Sequence, residues 1–304
     1  MYNLLCADGF KYPKQETYVL DLLPTAAGLA VTASDQTVSI FDPLGLSQGP
    51  IKQVTTDHGN LRAAKVYSPI ESIICTAGEN GTVAVWDLRQ APGNAKALQL
   101  GGNLPSLLSL ACSSATNTVY AGTELLTPHP TFPTHLLSGS TDGLVNIIDT
   151  SIIDEDEAVQ ATFNHGSVHK AGFLNVAEVY AASHDEKLAL YDWSDTNQEK
   201  GAATMDFGDI RQLLGGGVRY LADVVPKVDG IGAVVGVGGQ DNEMFQLIHL
   251  AKGPTGWTLD RETVVGLPRA HGSELVRGFC FFDEQQVVYT GGEDGCVKAW
   301  RPSS

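Results

Sequence analysis

The chain has 304 residues and a net charge of −16, from 19 Lys and Arg against 35 Asp and Glu. Such a charge repels phosphate, so we expect neither a nucleic-acid partner nor an anionic membrane surface, whereas basic protein partners are permitted. The five cysteines are widely spaced without a CxxC pair, and Cys75, Cys280 and Cys296 lie in β-type apolar runs, which favours small buried side chains in a reducing compartment over disulfides or metal ligands. We recognise no signal peptide and no apolar window of about 18 residues, and we therefore expect neither secretion nor a membrane-spanning helix.

A hairpin pattern recurs along the chain. Each copy has two β-rich runs joined by a tight turn that contains Asp or Asn, often followed by Gly, which is a strong hairpin signal. The turn residues are Asp35, Asn80, Asp142, Asp185, Asn242 and Asp294. Six residues after each turn residue lie Phe41, Trp86, Ile148, Tyr191, Ile248 and Trp300. Successive turns are 43 to 62 residues apart, close to the length of a four-stranded propeller blade. The sequence therefore predicts an all-β propeller with six recognisable blades and a seventh possible.

The two ends of the chain are predicted to meet. The last hairpin ends at Trp300, which leaves its blade one strand short. An apolar run from Tyr2 to Ala7 precedes the first blade's own strand, Tyr18 to Leu23. We expect this N-terminal run to supply the missing outer strand, because ring closure protects edges that an open array would expose. Residues 1–304 would then form a single propeller domain.

The longest step, between Asn80 and Asp142, does not fit one blade. It contains a strand pair, Leu107 to Cys112 and Thr118 to Glu124, followed by a proline-rich stretch at 127–133. Either this blade is remodelled or the ring is a shortened six-bladed one, with the missing segment between Glu124 and His135. The next-longest step is explained by an extra loop at 215–217 and a diverged strand at 218–225.

The pattern resembles the WD-repeat β-propellers over nearly the whole chain, and Trp86-Asp87 is the dipeptide that names them. His-Gly pairs precede three of the hairpins, although that family more often has Gly-His. The resemblance implies a buried hydrogen-bond chain in the last blade, formed by His271, Thr290, Asp294 and Trp300. A buried imidazole and indole N–H need such partners, so we interpret the histidines as structural rather than catalytic.

Further segments are similar to the eukaryotic WD repeat-containing protein 89 family. They are residues 121–124, 138–146, 183–186, 209–211 and 291–294. The resemblance implies a seven-bladed, non-enzymatic protein of the nucleus and cytoplasm. The sequence departs from that family in the segment between Glu124 and His135, where part of a blade is missing.

No catalytic motif, cofactor site or metal site is predicted. The glycine-rich run 235–239 precedes a strand-like segment, Met244 to Leu250, whereas a dinucleotide site requires a following helix. The enzyme alternative is a carboxylate-dependent hydrolase, which would need clustered acids with shifted pKa values facing the central channel.

The favoured function is a non-enzymatic protein-binding scaffold, acting as a monomer within a larger complex. The residues that precede the turns should point to the upper rim, where two further acids lie close by. These candidate rim residues are Ser34, Asp57, Glu79, Thr141, His184, Asp241, Glu274 and Glu293. They suggest an acidic face for a basic client, such as a histone tail or a ribosomal protein, while a merely solvated rim is the alternative.

A second interaction hypothesis concerns the segment Trp86-Asp87-Leu88-Arg89. It is similar to the box by which some WD-repeat proteins dock a cullin-4 ubiquitin ligase adaptor, with Arg89 at the lower face. Trp86, Asp87 and Arg89 would then make the chain a substrate receptor of the ligase. The acidic run Asp154 to Glu157 is interpreted as a solvated loop rather than a docking site.

Overall fold

In four of the five described hairpin turns the turn side chain binds its own backbone, whereas in the Asp185 turn the N–H of Lys187 bonds to Ser183 Oγ. In the computed structural model, Asp35, Asp142 and Asp294 each accept a hydrogen bond at Oδ1 from the N–H two residues further on, at 2.9 to 3.2 Å. Gly295 follows with φ of 72°, a conformation that glycine adopts without strain. The structure describes residues 2–102, 104–194, 197, 201–227, 230–241, 243–254 and 256–303, so the predicted turn residue Asn242 lies outside the described residues.

The strands are grouped into sheets in chain order. Two N-terminal strands come first, β1 (Tyr2–Asn3) and β2 (Leu5–Lys11). Blade 1 contains β3 to β6, at Val19–Thr25, Gly28–Ala33, Thr37–Phe41 and Lys52–Thr55. Blade 2 contains β7 to β10, at Leu61–Ser68, Ile73–Gly78, Thr82–Asp87 and Lys96–Gly101. A sheet of only two strands follows, formed by β11 (Ser109–Ser113) and β12 (Thr118–Gly122).

Four more blades complete the ring. Blade 3 contains β13 to β16, at Leu125–Pro128, His135–Gly139, Leu144–Asp149 and Val159–Asn164. Blade 4 contains β17 to β20, at Val168–Phe173, Glu178–Ser183, Lys187–Asp192 and Ala203–Asp209. Blade 5 contains β21 to β24, at Tyr220–Pro226, Gly232–Gly239, Met244–Gly253 and Gly256–Pro268. Blade 6 contains β25 to β27, at Val276–Phe282, Val287–Gly292 and Cys296–Arg301, together with β2.

Short helices occur only in the connections of the described chain. The α-helices are α1 (Glu155–Ala158) and α2 (Ile210–Leu214), and single 3₁₀ turns lie at Leu46–Gln48, Pro92–Asn94 and Asp283–Gln285. Among the described residues, no helix is long and apolar enough to cross a membrane.

The described sheets form a six-bladed β-propeller of four-stranded blades with the two-stranded sheet inserted in the ring. The first strand of each blade contacts the first strand of its neighbour, so these strands surround the central channel. β11 packs between β7 and β13, which places the two-stranded sheet between blades 2 and 3. The fold class predicted from the hairpin repeat is thereby confirmed.

The ends of the chain join as predicted. β2 pairs antiparallel with β27, from Leu5 opposite Arg301 to Lys11 opposite Cys296. β1 extends the closure further than expected, because Tyr2 and Asn3 pair in parallel with β24 of the preceding blade. The N-terminal segment therefore holds two blades together.

The predicted position of the missing blade segment, between Glu124 and His135, was wrong by one strand. The segment from Glu124 to His135 contains β13, the inner strand of blade 3, which pairs with β14. The strand pair β11–β12 forms as predicted, and the third and fourth strands that should follow Gly122 are the ones absent from the ring. Pro128 obscured β13 in the sequence, although it closes the strand without interrupting it.

Candidate functional site: the rim, the channel and the lower face

The predicted hydrogen-bond chain in blade 6 is structural in its geometry. His271 Nδ1 lies 2.6 Å from Asp294 Oδ1, and His271 Nε2 lies 2.8 Å from Thr290 Oγ1. The indole N–H of Trp300 donates to the same Thr290 Oγ1 at 2.9 Å. Burial opposes ionisation of Asp294, but the hydrogen bond from His271 and the backbone N–H of Cys296 together lower the pKa of its carboxyl. His271, Thr290 and Trp300 are buried, so the imidazole of this hydrogen-bond chain is shielded from solvent, whereas Asp294 is partly exposed.

Blade 2 repeats the chain with a different turn residue. His58 Nε2 lies 2.7 Å from Thr76 Oγ1, and Trp86 Nε1 donates to that hydroxyl at 2.7 Å. Here Thr82 stands between the histidine and the turn, because its hydroxyl lies 2.8 Å from His58 Nδ1 and donates to Asn80 at 2.6 Å. In blade 2 the Thr82 hydroxyl therefore lies next to the histidine, where blade 6 has the Asp294 carboxylate, and the turn residue is a neutral Asn.

The eight candidate rim residues lie at the ends of hairpins and in the loops before inner strands. The exposed ones are Asp57, Glu79, Thr141, His184, Asp241 and Glu274. Ser34 is half-buried and accepts a hydrogen bond from the N–H of Tyr18 at 2.8 Å. Glu293 is half-buried as well.

Three of the rim acids are neutralised by cations that the sequence pattern did not reveal. Asp57 pairs with Lys96 at 2.9 Å, Asp241 with Arg219 at 3.0 Å, and Glu293 with Arg277 at 2.7 Å. The hydrogen bond from Lys96 lowers the pKa of the Asp57 carboxyl. The surplus negative charge of the rim is therefore smaller than a count of its acids indicates.

Four other acids of the rim are not paired with a cation among the described residues. Glu79 and Glu274 are exposed, as are the turn residues Asp142 and Asp185. Within the described part of the chain, no ion pair involves any of these four residues. Glu79 accepts a hydrogen bond from the Asn60 side-chain amide at 2.6 Å, which orients its carboxylate without neutralising it.

A cavity at the mouth of the channel brings His184 and Glu293 together. Its wall also contains His169, Lys170 and Arg277, so this opening is mixed in charge rather than acidic. Burial and the nearby Lys170 lower the pKa of His169 to about 4, which leaves that imidazole neutral at physiological pH.

Deeper in the channel, acids alternate with lysines. Lys170 Nζ lies 3.4 Å from Asp223 Oδ2, and the attraction of Asp223 raises the pKa of Lys170. Burial raises the pKa of Asp21, against the opposing attraction of Lys65 and Lys170. Across the described residues, no group of three or more His, Cys, Asp or Glu side chains is placed to hold a metal ion. The channel thus contains an acid with a raised pKa, but cations share the space with it.

The segment Trp86-Asp87-Leu88-Arg89 presents its arginine to solvent. Arg89 donates two parallel hydrogen bonds to Asp87, from Nε at 2.8 Å and from Nη2 at 2.9 Å. This pairing raises the pKa of Arg89 and lowers that of Asp87. Trp86 and Leu88 are buried, while about half of the Arg89 side chain is exposed. Arg89 is therefore oriented by Asp87 and faces solvent, and its role at the lower face stays a prediction.

The acidic run lies in the connection between β15 and β16. Asp154 accepts a hydrogen bond from the N–H of Asp156 at 3.0 Å and begins α1. Glu155, Asp156 and Glu157 are exposed. The run thus lies in the lower, outer connection of blade 3, next to β16.

An open sheet edge was not identified as a site from the sequence. Among the described strands, β12 pairs with β11 alone, and Leu98 and Leu100 of the neighbouring β10 are 50% and 49% exposed. The unusual length of the step between Asn80 and Asp142 was the only sequence signal for it.

Comparison with known proteins identifies the repeat. Residues 49–87 and 263–301 match the family model described as WD domain, G-beta repeat. The chain is 33% identical over 174 residues to an uncharacterized WD repeat-containing protein of Saccharomyces cerevisiae, covering 57% of this chain and 42% of that protein. A second such protein, from Schizosaccharomyces pombe, is 25% identical over 95% of this chain and 96% of its own length.

Two further similarities concern family and fold. The chain is 26% identical over 198 residues to the WD repeat-containing protein 89 homolog of Dictyostelium discoideum, covering 58% of this chain and 54% of that protein. Among solved structures, it resembles the Cps50 (Swd1) β-propeller domain of Myceliophteria thermophila, with a TM-score of 0.68 and 13% identity. That likeness covers 99% of this chain and 100% of the other, and it establishes the fold alone.

Proposed function

Because the chain is a WD-repeat β-propeller, we propose that it is a non-enzymatic protein-binding platform that takes a basic client on its upper rim. WD-repeat propellers generally act as interaction scaffolds, and this chain carries a net charge of −16. The observation that carries the proposal is the set of exposed rim acids, Glu79, Asp142, Asp185 and Glu274, that enter no ion pair within the described residues. Such a face attracts Lys- and Arg-rich segments and accelerates their association.

The paired acids of the rim also contribute to this proposal. The pair between Arg219 and Asp241 is largely exposed, with 58% and 73% of the two side chains accessible. Exposed pairs of this kind contribute only about 0 to 1 kcal/mol, so a client's arginine can displace the internal one at little cost. In this proposal the protein is a monomer that joins a larger complex in the nucleus or cytoplasm, where histones and ribosomal proteins are available as clients.

A charge-reversal experiment tests the rim. We expect Glu79→Lys with Glu274→Lys to weaken binding of a synthetic Arg- and Lys-rich peptide by about tenfold or more, measured by fluorescence anisotropy at moderate salt. The matched control is Glu71→Lys with Glu262→Lys, which changes the net charge equally at two exposed glutamates, in the turn between β7 and β8 and on β24, outside the rim and away from α1. Equal weakening by both double variants would show that only net charge matters and would contradict a rim site.

Arg89 supports a second candidate function, as the docking residue of a cullin-4 ligase substrate receptor. Asp87 holds the Arg89 guanidinium in one orientation, which reduces the entropy lost on binding. The side chain is also exposed and therefore accessible to a partner. Arg89→Ala should abolish co-purification with the ligase adaptor. Arg211→Ala is the matched control, because Arg211 makes the same paired bonds to Asp209 at the start of α2. Retention of the adaptor by the Arg89 variant would contradict this role.

The carboxylate-dependent hydrolase is the least favoured alternative. The acids facing the channel, Asp21 and Asp223, share their surroundings with Lys65 and Lys170. The two carboxyls interact, because burial and then Asp223 raise the pKa of Asp21, but Lys170 pairs with Asp223 and both lysines attract Asp21. The acids are therefore offset by lysines rather than left as a free carboxylate pair.

A further inference from the structure

The inner sheet formed by β11 and β12 ends in an unpaired edge. In blades 1 to 6 the second strand has a neighbour on both sides, whereas among the described strands β12 has only β11. The carbonyl of Gly122 accepts a hydrogen bond from the N–H of Leu108 at 2.8 Å and so points toward β11. Because successive residues of a strand alternate sides, the N–H and C=O groups of Val119 and Ala121 point toward the open edge. These groups can accept a further strand.

One wall of the opening is apolar. Leu98 and Leu100 of β10 stand opposite Val85 and Val83 of β9, so they share one face of blade 2. Val83 and Val85 pack against the two-stranded sheet through Leu107, Leu110 and Val119. The two leucines therefore face the space above the edge of β12, and they remain about half exposed because none of the described strands covers them.

The opposite wall is polar. Val145 and Ile147 of β15 pack against blade 4, so the alternate residue Asn146 faces the two-stranded sheet. Thr162 stands opposite Asn146 and donates its hydroxyl to the Asn146 side chain at 2.8 Å. The hydroxyls of Tyr120 and Thr150 lie 2.9 Å apart, which shows that blade 3 closes against β12 on this side. An occupant must therefore be apolar on one face and polar on the other, which is the pattern of an extended strand.

The lower end of the opening is acidic. Thr150 is followed by Asp154 and then by the three exposed acids of α1. No ion pair within the described residues neutralises this run. The acids favour a basic occupant and repel a second copy of a chain whose net charge is −16.

We propose that an extended segment of a basic partner protein adds to β12 as a third strand. It runs antiparallel to β12, as the third strand does to the second in blade 2. Its alternate apolar side chains cover Leu98 and Leu100, its polar side chains face Asn146 and Thr162, and its C-terminal flank carries Lys or Arg beside α1. This strand-addition site lies on the outer edge of the ring, apart from the rim that holds the client of the proposed function.

A substitution at Ala121 tests the backbone pairing directly. Proline at this position removes an N–H that points away from β11, and edge strands tolerate proline on that side. Ala121→Thr is the matched control, since it keeps the N–H. The probe is a displayed library of random peptides of about 12 residues, long enough for a strand and its flank, selected on the purified full chain.

The expected result is enrichment of peptides with alternating apolar residues followed by Lys or Arg. These peptides should bind the Ala121→Thr variant like the wild type and the Ala121→Pro variant about tenfold more weakly or worse, with a similar loss for Leu98→Thr with Leu100→Thr. Hydrogen exchange at the amides of Val119 and Ala121 should slow in the complex.

Three results would overturn the proposal. The first is the absence of any enriched peptide, and the second is enrichment of peptides that bind the proline variant unchanged. The third is a dimer of the free wild-type chain that Ala121→Pro converts to monomer by light scattering, because the occupant would then be a second copy. The rim variant Glu79→Lys with Glu274→Lys should leave binding of the selected peptides unchanged, which separates this site from the rim.

Discussion

The outer strands of the blades show two different environments for the same kind of residue. Val54 on β6 and Phe163 on β16 are 4% and 1% exposed, because the next complete blade covers them. Leu98 and Leu100 occupy the corresponding face of β10 and are about half exposed, because the next sheet ends at its second strand. The side chains of an outer strand are thus buried by the outer strands of the next blade rather than by the other strands of their own blade. Loss of two strands converts an internal face into surface without disturbing the inner ring.

The largest effect on stability should come from truncating Phe163, which blade 4 covers. Phe163→Ala removes a ring that is buried and lies 4.7 Å, centroid to centroid, from Tyr191. We expect a loss of about 3 to 5 kcal/mol in the free energy of unfolding, measured by urea denaturation. Leu100→Ala is the paired substitution on the uncovered face and should cost about 0.5 kcal/mol or less. Similar costs for the two variants would show that Leu100 is covered in solution.

A somewhat smaller effect is expected for the hydrogen-bond chain, which the two-stranded sheet lacks. Thr290→Val leaves the Trp300 indole N–H and His271 Nε2 without their shared partner. Two buried polar groups lose a partner, so the cost should be about 2 to 4 kcal/mol in the same assay. Thr118→Val on β12 is the control, because the Thr118 hydroxyl donates only to an exposed carbonyl of Thr116, and its cost should be about 0.5 kcal/mol or less.

Asp294 makes the stability of blade 6 depend on pH. Its folded-state pKa lies below the ordinary value of 3.8, so its ionised form contributes stability above that pH, and the contribution is lost as the pH falls through the folded pKa. Asp294→Asn should lower the urea midpoint at neutral pH and reduce the further loss that the wild type shows in acid below about pH 4. Parallel acid profiles for the two proteins would contradict a role for this carboxylate.

The smallest effect on stability is expected on the uncovered face of β10. Leu98→Thr with Leu100→Thr replaces two exposed apolar side chains by β-branched polar ones, which suit an outer strand. We expect a change within about 0.5 kcal/mol in unfolding free energy and a higher solubility limit, measured by precipitation in ammonium sulfate. A large destabilisation would mean that these leucines pack against the body of the protein.

The hairpin repeat predicted the fold because its signal is local. A turn side chain such as Asp294 binds the N–H two residues away, so the residues that form the turn are adjacent in the sequence. The closure strand was predictable for a related reason, since a hairpin that ends at Trp300 lacks one partner and the N-terminal run is available to supply it.

The candidate sites were less predictable because their partners are distant in the sequence. Lys96 neutralises Asp57 from an outer strand, and Lys170 on β17 meets Asp223 on the adjacent inner strand β21. Neither spacing follows from any strand or helix period. The two missing strands were expected after Glu124, one strand too late. Leu125–Pro128 is a short strand that ends in proline, and only its contact with β11 identifies it as an inner strand.

The closure strand also constrains the order of folding. Leu5 pairs with Arg301, so β2 has no strand partner until the residues of β27 have been synthesised. Until the two strands pair, both β2 and the edge of β27 stay open, and the pairing joins residues that are very far apart in the sequence. Loop closure of this length is slow, so ring closure should be the late step that limits the rate at which the native propeller accumulates.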